Sequence, residues 1–234
     1  MPRLPRSRLV AENSTNHCFW RAHNHSFVLD TDDARARFLE LLAKYKEAHG
    51  IEILAYCLMG THPHVVCRSP RGQVAFSAFW KVVNQCFARW RNRRDGRCGQ
   101  VVMERLGSPR VQPGGAHELS VLCYGDMNPV RAGLARRPRD WPWSSHRHYA
   151  LGEKNPIITD APAYVSLGRT WLARRLAYLR LFAPRRVAPY RVRRPEFRGP
   201  AFIGDESWHR TIVEVRTAGG PAPPLISMPP RLTS

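Results

Sequence analysis

The sequence predicts an α+β fold in which helices pack on an antiparallel sheet. Two observations support this prediction. Short apolar and β-branched runs alternate along the chain with longer segments whose apolar residues follow helical spacing. In addition, 43% of the 234 residues are hydrophobic, which is enough for a folded core.

The order of the predicted elements narrows the fold. In chain order they are a strand at 17–29, a helix from the acidic residues 30–33 to Gly50, strands at 51–58 and 63–67, a helix at 74–92, a short strand near 100–103 and a helix at 117–127. Two β-α-β halves in this order form a ferredoxin-like sandwich, with the helices on one face of the antiparallel sheet.

Each predicted strand has its own local evidence. Residues 17–29 are rich in aromatic and β-branched side chains, and residues 51–58 form a continuous apolar run. The Gly-Thr pair that follows allows a tight turn, so 63–67 is predicted to be the hairpin partner of 51–58. Because Pro63 has no backbone donor, we expect its strand to be an edge strand or to be bulged there.

The predicted helices follow from capping residues and apolar spacing. Acidic residues at 30–33 favour a helix start, and Gly50 favours a helix end. The apolar faces of the first two helices comprise Phe38, Leu41, Leu42 and Tyr45, and then Phe76, Phe79, Val83 and Phe87. We expect the third helix to end before Pro129, because the residue before a proline disfavours the helical region.

Composition divides the chain into three parts. We predict a first domain at 1–150 and a basic, helical and extended C-terminal extension at 151–216, with one helix at 164–182 and an extended Pro/Arg-rich stretch at 184–200. Residues 217–234 are rich in Gly and Pro, and we expect this tail to be disordered.

The net charge indicates a polyanionic partner. Lys and Arg number 37 against 18 Asp and Glu, which gives a formal charge of +19. Because such an excess repels itself in a compact chain, nucleic acid is the first candidate partner, with DNA preferred to RNA, and an anionic membrane surface is a distant second. No apolar run approaches the roughly 20 residues of a membrane span. The six cysteines form no C-x-x-C pair. We therefore expect no membrane partner and a cytoplasmic, nucleoid-associated protein with reduced thiols.

Three H-x-H pairs are candidate metal ligands. On a strand, residues i and i+2 share a face, so two imidazoles there can converge on one ion. Only His62 and His64 lie at the start of a predicted buried strand, which makes them the candidate pair. The pair at 23 and 25 is equally compatible with polar residues of an exposed strand or turn, and the pair at 146 and 148 is interpreted as surface histidines.

Tyr124 is a candidate nucleophile. It lies in the third predicted helix, and Asn128 follows four residues later on the same helix face. A phenol can attack phosphorus to form a covalent phosphotyrosine, and Asn128 can face the same metal ion. The alternative is that Tyr124 is an ordinary packed aromatic residue.

Basic residues at the end of the second helix are candidate DNA contacts. Those we expect to bind DNA, together with Arg131, are Arg89, Trp90, Arg91, Arg93, Arg94 and Arg97. Arginines suit phosphates, and Trp90 can stack on an unpaired base. The alternative is a solvated helix end.

Several stretches resemble one known family. AYCLMGTHPHVV is similar to the paired-histidine (HUH) strand of single-tyrosine transposases of the insertion-sequence and REP-associated type. CYGDMNPVRAGL resembles their tyrosine helix, and RPRDWPWSSHRHYALG resembles the segment that follows it. The resemblance covers residues 5–185.

The resemblance implies a reaction and a site. It implies a ferredoxin-like domain that binds single-stranded or hairpin DNA as a homodimer or a monomer. By the resemblance, His62 and His64 hold Mg²⁺ or Mn²⁺, and Asn128 is in the position of the third ligand. Tyr124 would attack a phosphate, form a 5′-phosphotyrosine and leave a free 3′-OH.

The chain departs from the family pattern near the site. Pro63 replaces a bulky apolar residue between the histidines, and Thr61 replaces the common carboxamide before them. Gly125, after the tyrosine, weakens its helix by about 1 kcal/mol. A catalytically decayed protein that binds hairpin DNA without cutting it is therefore the alternative function.

Overall fold

The structure, a computed structural model, describes residues 5–103, 105–183 and 201–217. Its strands are Ser14–Phe19 (β1), Glu52–Leu58 (β2), Pro63–Ser69 (β3), Arg110–Val111 (β4) and Phe202–Ile203 (β5). Its α-helices are Arg6–Leu9 (α1), Asp32–Lys46 (α2), Gly72–Arg94 (α3), Gly115–Arg131 (α4), His146–Leu151 (α5), Pro162–Val165 (α6), Trp171–Leu181 (α7) and Glu206–Thr217 (α8). Two 3₁₀ turns lie at His23–His25 and Pro138–Asp140.

The sheet has the order β2-β3-β1-β4-β5. Its first four strands pair antiparallel, and β5 adds to the edge parallel to β4. The elements β1, α2, β2, β3, α3 and β4 follow one another as two β-α-β halves. The predicted α+β ferredoxin-like sandwich is therefore confirmed, with β5 as an added edge strand.

Helices cover both faces of this sheet, whereas the sequence predicted helices on one. On one face, Val65 and Cys67 of β3 pack in the same cluster as the aromatic residues of α2 and α3. On the other face, Val66 packs in the cluster that contains Leu54 and Tyr124 of α4. The reason is visible in β2, whose continuous apolar run has hydrophobic side chains on both sides and therefore needs a cover on each.

The first and fourth strands differ in extent from the prediction. The chain leaves the sheet after Phe19 and forms the 3₁₀ turn His23–His25, in which Asn24 and His25 have positive φ. The predicted strand near 100–103 is only an isolated bridge between Val102 and Ala22, and β4 lies further along the chain.

The helix α4 continues through Pro129 instead of ending before it. A proline removes only its own hydrogen bond to the carbonyl four residues back, here that of Gly125. Beyond it, the amide of Ala132 still donates to the carbonyl of Asn128, at 3.0 Å. The helix therefore keeps its last turn, which contains Arg131.

Pro63 lies in an interior strand, so the expectation of an edge or a bulge at this position is wrong. Strand β3 pairs with β2 on one side and with β1 on the other, and the register irregularity of β2 lies between Ile53 and Ala55. Pro63 is the first residue of β3, opposite Leu58, and a first position tolerates the missing donor. The carbonyl of Leu58 instead accepts a hydrogen bond from the indole Nε1 of Trp141, at 3.2 Å.

The predicted helix at 164–182 is two helices, α6 and α7. Thr170 separates them, because its hydroxyl accepts from the amide of Ala173 and caps α7. Tyr164 and Tyr178 of these helices pack in the cluster that contains Tyr124. This packing favours a first domain that extends beyond residue 150, and the boundary stays a prediction. The stretch 184–200 and the tail after Thr217 lie outside the described residues.

Candidate active site

The candidate histidine pair lies where the β2–β3 turn enters the sheet. His62 is the last residue of the turn, and His64 is the second residue of β3. The turn is closed by a hydrogen bond from the amide of Met59 to the carbonyl of His62, at 3.0 Å. The two imidazole centroids are 4.9 Å apart, with the rings edge to face at 81°. The spacing thus brings the two rings together at one end of β3.

Each imidazole has a hydrogen-bond partner at Nδ1. The hydroxyl oxygen of Thr61 lies 2.8 Å from Nδ1 of His62, and Nε2 of His17 lies 3.0 Å from Nδ1 of His64. Thr61 therefore supplies a polar partner at a position where the resembled family commonly has a carboxamide. With both Nδ1 atoms engaged, a metal ion would be held through the Nε2 atoms.

Helix α4 brings Tyr124 to the same face of the sheet. Tyr124 packs among apolar residues of α4, β2 and β3, and 2% of it is exposed. Its ring centroid is 5.8 Å from that of His64, and the rings meet edge to face at 89°. The helix and the strand lie far apart in the sequence, so this proximity is a product of the fold.

One turn further along α4, Asn128 and Arg131 complete the cluster. The guanidinium carbon of Arg131 lies over the Tyr124 ring, 4.5 Å from its centroid. Arg131 also donates a hydrogen bond to Oδ1 of Asn128. The Nδ2 atom of Asn128 is buried and has no hydrogen-bond partner among the described residues. The three side chains share one helix face, as their spacing predicts.

The side chains of this cluster that could bind a divalent ion are two imidazoles and one amide. Within residues 5–103, 105–183 and 201–217, no three His, Cys, Asp or Glu side chains are grouped as metal ligands. The donors would be His62, His64 and Oδ1 of Asn128. This set fits an ion that accepts nitrogen and oxygen ligands, once Arg131 releases that oxygen.

His17 is a further residue of the cluster, and no local sequence pattern predicts it. It is 1% exposed, and burial lowers its pKa to about 3, so its ring is neutral at neutral pH. Its ring is nearly parallel to that of His64, with centroids 5.1 Å apart, and its centroid lies 6.1 Å from that of the Tyr124 ring. The register of β1 against β3 identifies His17 as a neighbour of His64. Phe19 lies opposite His64, so His17, two residues before Phe19, is on the same face of the sheet.

The other two H-x-H pairs have different environments. His23 and His25 lie exposed in the 3₁₀ turn, which agrees with the interpretation as polar turn residues. The surface interpretation of His146 is wrong, because it is 3% exposed and its Nδ1 lies 2.7 Å from a carboxylate oxygen of Asp126. The buried carboxylate needs polar partners, and α5 supplies this one.

The predicted DNA contacts on α3 fall into two groups. Arg91 forms ion pairs with Asp30 and Asp95 and donates to two backbone carbonyls, so its contacts are structural. Arg94 pairs with Asp33, Arg97 approaches Asp95, and Trp90 stacks on Phe87. The side chains of Arg89 and Arg93 are exposed, so these two are the best placed of the predicted residues to contact DNA.

Comparisons with known proteins find similarity in sequence over part of the chain and in fold over most of it. The family model described as "Transposase IS200 like" matches residues 10–103, which include the histidine pair but not Tyr124. A solved structure described as a REP-associated tyrosine transposase bound to a REP hairpin matches with a TM-score of 0.53 and 21% identity. The match covers 73% of this chain and 98% of that one. No curated protein matches the chain. The chain thus resembles the single-tyrosine transposases, in sequence over residues 10–103 and in fold over most of its length.

Proposed function

We propose that this chain is a DNA transposase, that is, a site-specific endonuclease and strand transferase for single-stranded DNA. One observation carries the proposal. Two histidines at the start of β3 and a tyrosine of α4 meet on one face of the sheet, with ring centroids 4.9 and 5.8 Å apart. A phenol beside paired imidazoles suits a nucleophile beside a metal site.

In the proposed reaction, the phenol oxygen of Tyr124 attacks a backbone phosphorus. The new bond joins that oxygen to phosphorus, and the bond from phosphorus to the 3′ oxygen breaks. The products are a 5′-phosphotyrosine and a strand with a free 3′-OH, and the phenol proton balances the proton that the 3′ oxygen gains. A second strand's 3′-OH then reverses this step on the phosphotyrosine and completes the transfer.

The residues proposed to hold the metal are His62, His64 and Asn128. When bound, Mg²⁺ or Mn²⁺ would neutralise charge on the phosphate and polarise the bond that breaks. Arg131 supplies a fixed positive charge over the Tyr124 ring, suited to the charge that develops during attack. Asp126 is not our candidate base, because its carboxylate accepts hydrogen bonds from His146 and Tyr178 in the core.

We propose hairpin-bearing single-stranded DNA as the substrate and partner. The net charge of +19 supports a polyanionic partner, and Arg89 and Arg93 offer exposed cations on α3. The similar solved protein is bound to a REP hairpin, which supports a hairpin here. None of the described helices is long and apolar enough to span a membrane. We propose a nucleoid-associated protein that acts as a homodimer or a monomer.

The test is a covalent adduct between protein and DNA. The full chain is incubated with hairpin-bearing single strands and Mn²⁺, and a denaturing gel detects the adduct. We expect an adduct with the wild type and none with Tyr124→Phe, while hairpin binding persists. Tyr45→Phe is the matched control, because Tyr45 lies on α2 across the sheet, and it should form adduct normally.

Two results would contradict the proposed enzymatic activity. An adduct with Tyr124→Phe would exclude this nucleophile. Hairpin binding by the wild type with no adduct in Mg²⁺ or Mn²⁺ would favour the alternative, a decayed hairpin-binding protein. Stronger binding to RNA than to single-stranded DNA of the same sequence would instead favour an RNA-associated protein.

A further inference from the structure

We propose that His17 is a positioning residue that fixes the ring orientation and the tautomer of His64. The inference rests on the proposed metal site and extends it to a residue of a second strand. His17 would not touch the metal or the DNA. Its effect would pass through the single contact between Nε2 of His17 and Nδ1 of His64, at 3.0 Å.

The register of the sheet creates this contact. In the pairing of β1 with β3, His64 lies opposite Phe19 and His17 lies opposite Val66. The two histidines are therefore diagonal neighbours on the face that α4 covers. Their rings are nearly parallel, with an interplanar angle of 17°, and Phe19 packs beside both. The ring of His64 is thus held from one side by a second rigid strand.

Only one proton can lie between Nε2 of His17 and Nδ1 of His64. Which of these nitrogens carries it decides whether His64 can bind a metal ion through its own Nε2. If the proton is on Nδ1 of His64, Nε2 of that ring has a lone pair for a metal ion. If the proton is on Nε2 of His17, a neutral His64 carries its own proton on Nε2 and cannot coordinate through that atom. Metal binding therefore requires His17 to be the acceptor.

The surroundings of His17 favour a functional reason for this histidine. Its Nδ1 is buried and has no hydrogen-bond partner among the described residues. Burying an unsatisfied polar atom costs stability, so an apolar residue would serve the core better at this position. Thr61 has the equivalent contact with His62, so each of the two proposed histidine ligands has a partner at Nδ1.

The test compares two variants by their affinity for Mn²⁺ without DNA, measured from the electron paramagnetic resonance signal of free Mn²⁺. His17→Leu removes the acceptor, and we expect it to weaken Mn²⁺ binding about 10- to 100-fold. His17→Gln restores an acceptor and should bind within a few-fold of the wild type. The melting temperature in EDTA checks that both variants are folded at the temperature of the titration, because His17→Leu also loses the buried hydrogen bond to His64.

The same titration separates this inference from the proposed metal site. If the wild type binds Mn²⁺ and His17→Leu binds it equally well, the role of His17 is overturned and the metal site stands. The same holds if His17→Gln binds Mn²⁺ as weakly as His17→Leu. No Mn²⁺ binding by the wild type, or normal binding by His64→Ala, overturns the metal site and this inference with it.

A measurement on the unaltered protein covers the case in which His17→Leu does not fold. The ¹⁵N chemical shifts of the histidine rings report which nitrogen carries the proton. With saturating Mg²⁺, we expect His64 to be protonated at Nδ1 and His17 to be unprotonated at Nε2. A proton on Nε2 of His17 under these conditions would overturn the proposal.

Discussion

At the scale of single residues, Arg131 connects the two halves of the candidate site on α4. It lies over the Tyr124 ring and donates to Asn128, so its charge is near both the proposed nucleophile and a proposed ligand. Arg131→Met keeps a similar side-chain length without the charge. We expect the rate of adduct formation at saturating DNA to fall on the order of 10²- to 10³-fold. Hairpin affinity should change much less.

The matched control for this variant is Arg89→Met. Arg89 is an exposed arginine on α3. We expect its substitution to weaken hairpin binding and to leave the rate of adduct formation at saturating DNA unchanged. Single-turnover rates across a DNA titration separate the two effects. A rate for Arg131→Met that equals or exceeds the wild type would mean that Arg131 only packs on Tyr124.

At the scale of elements, α4 is anchored to α5 and α7 through one buried carboxylate. Asp126 accepts hydrogen bonds from His146 and Tyr178, each at 2.7 Å, and the three side chains are buried. Asp126→Ala leaves both partners unpaired, and we expect the free energy of unfolding to fall by about 3–5 kcal/mol. Urea denaturation of the DNA-free protein measures this loss.

A second histidine–aspartate pair provides an internal reference. His148 and Asp160 meet at 2.8 Å, but 19% and 43% of their side chains are exposed. Asp160→Ala should therefore cost less than about 1 kcal/mol. Equal losses for the two alanine variants would show that burial of the Asp126 group adds nothing to the stability of α4.

At the scale of the whole molecule, the charge of +19 predicts DNA binding that depends steeply on salt. If about six phosphates are contacted, hairpin affinity should fall about 10³-fold between 50 and 200 mM salt. Arg93→Met should reduce the slope of log affinity against log salt by about one. Arg91→Met should leave the slope unchanged and reduce stability instead, because Arg91 is engaged with Asp30 and Asp95. Fluorescence anisotropy across a salt series distinguishes these outcomes.

How far the sequence predicts this protein depends on the range of each interaction. The i, i+2 spacing predicted that His62 and His64 lie side by side, and the i, i+4 spacing predicted that Tyr124 and Asn128 share a helix face. The position of Arg131 over the Tyr124 ring was not predicted. His17 could not be predicted, because its partner depends on the register between two strands that are far apart in the chain. The carboxylate partners of Arg91 also come from both near and distant segments, which local charge patterns do not reveal.

The central position of β1 and β3 has a consequence for the order in which the protein assembles. The β2–β3 hairpin, with the two proposed histidine ligands, closes through contacts that are local in sequence. Its pairing with β1 and its cover by α4 require much longer loops to close, and such contacts form late. A growing chain would thus present the histidine pair before Tyr124 has been synthesised. The proposed nucleophile would therefore reach the histidine pair only after α4 has been made and has packed on the sheet.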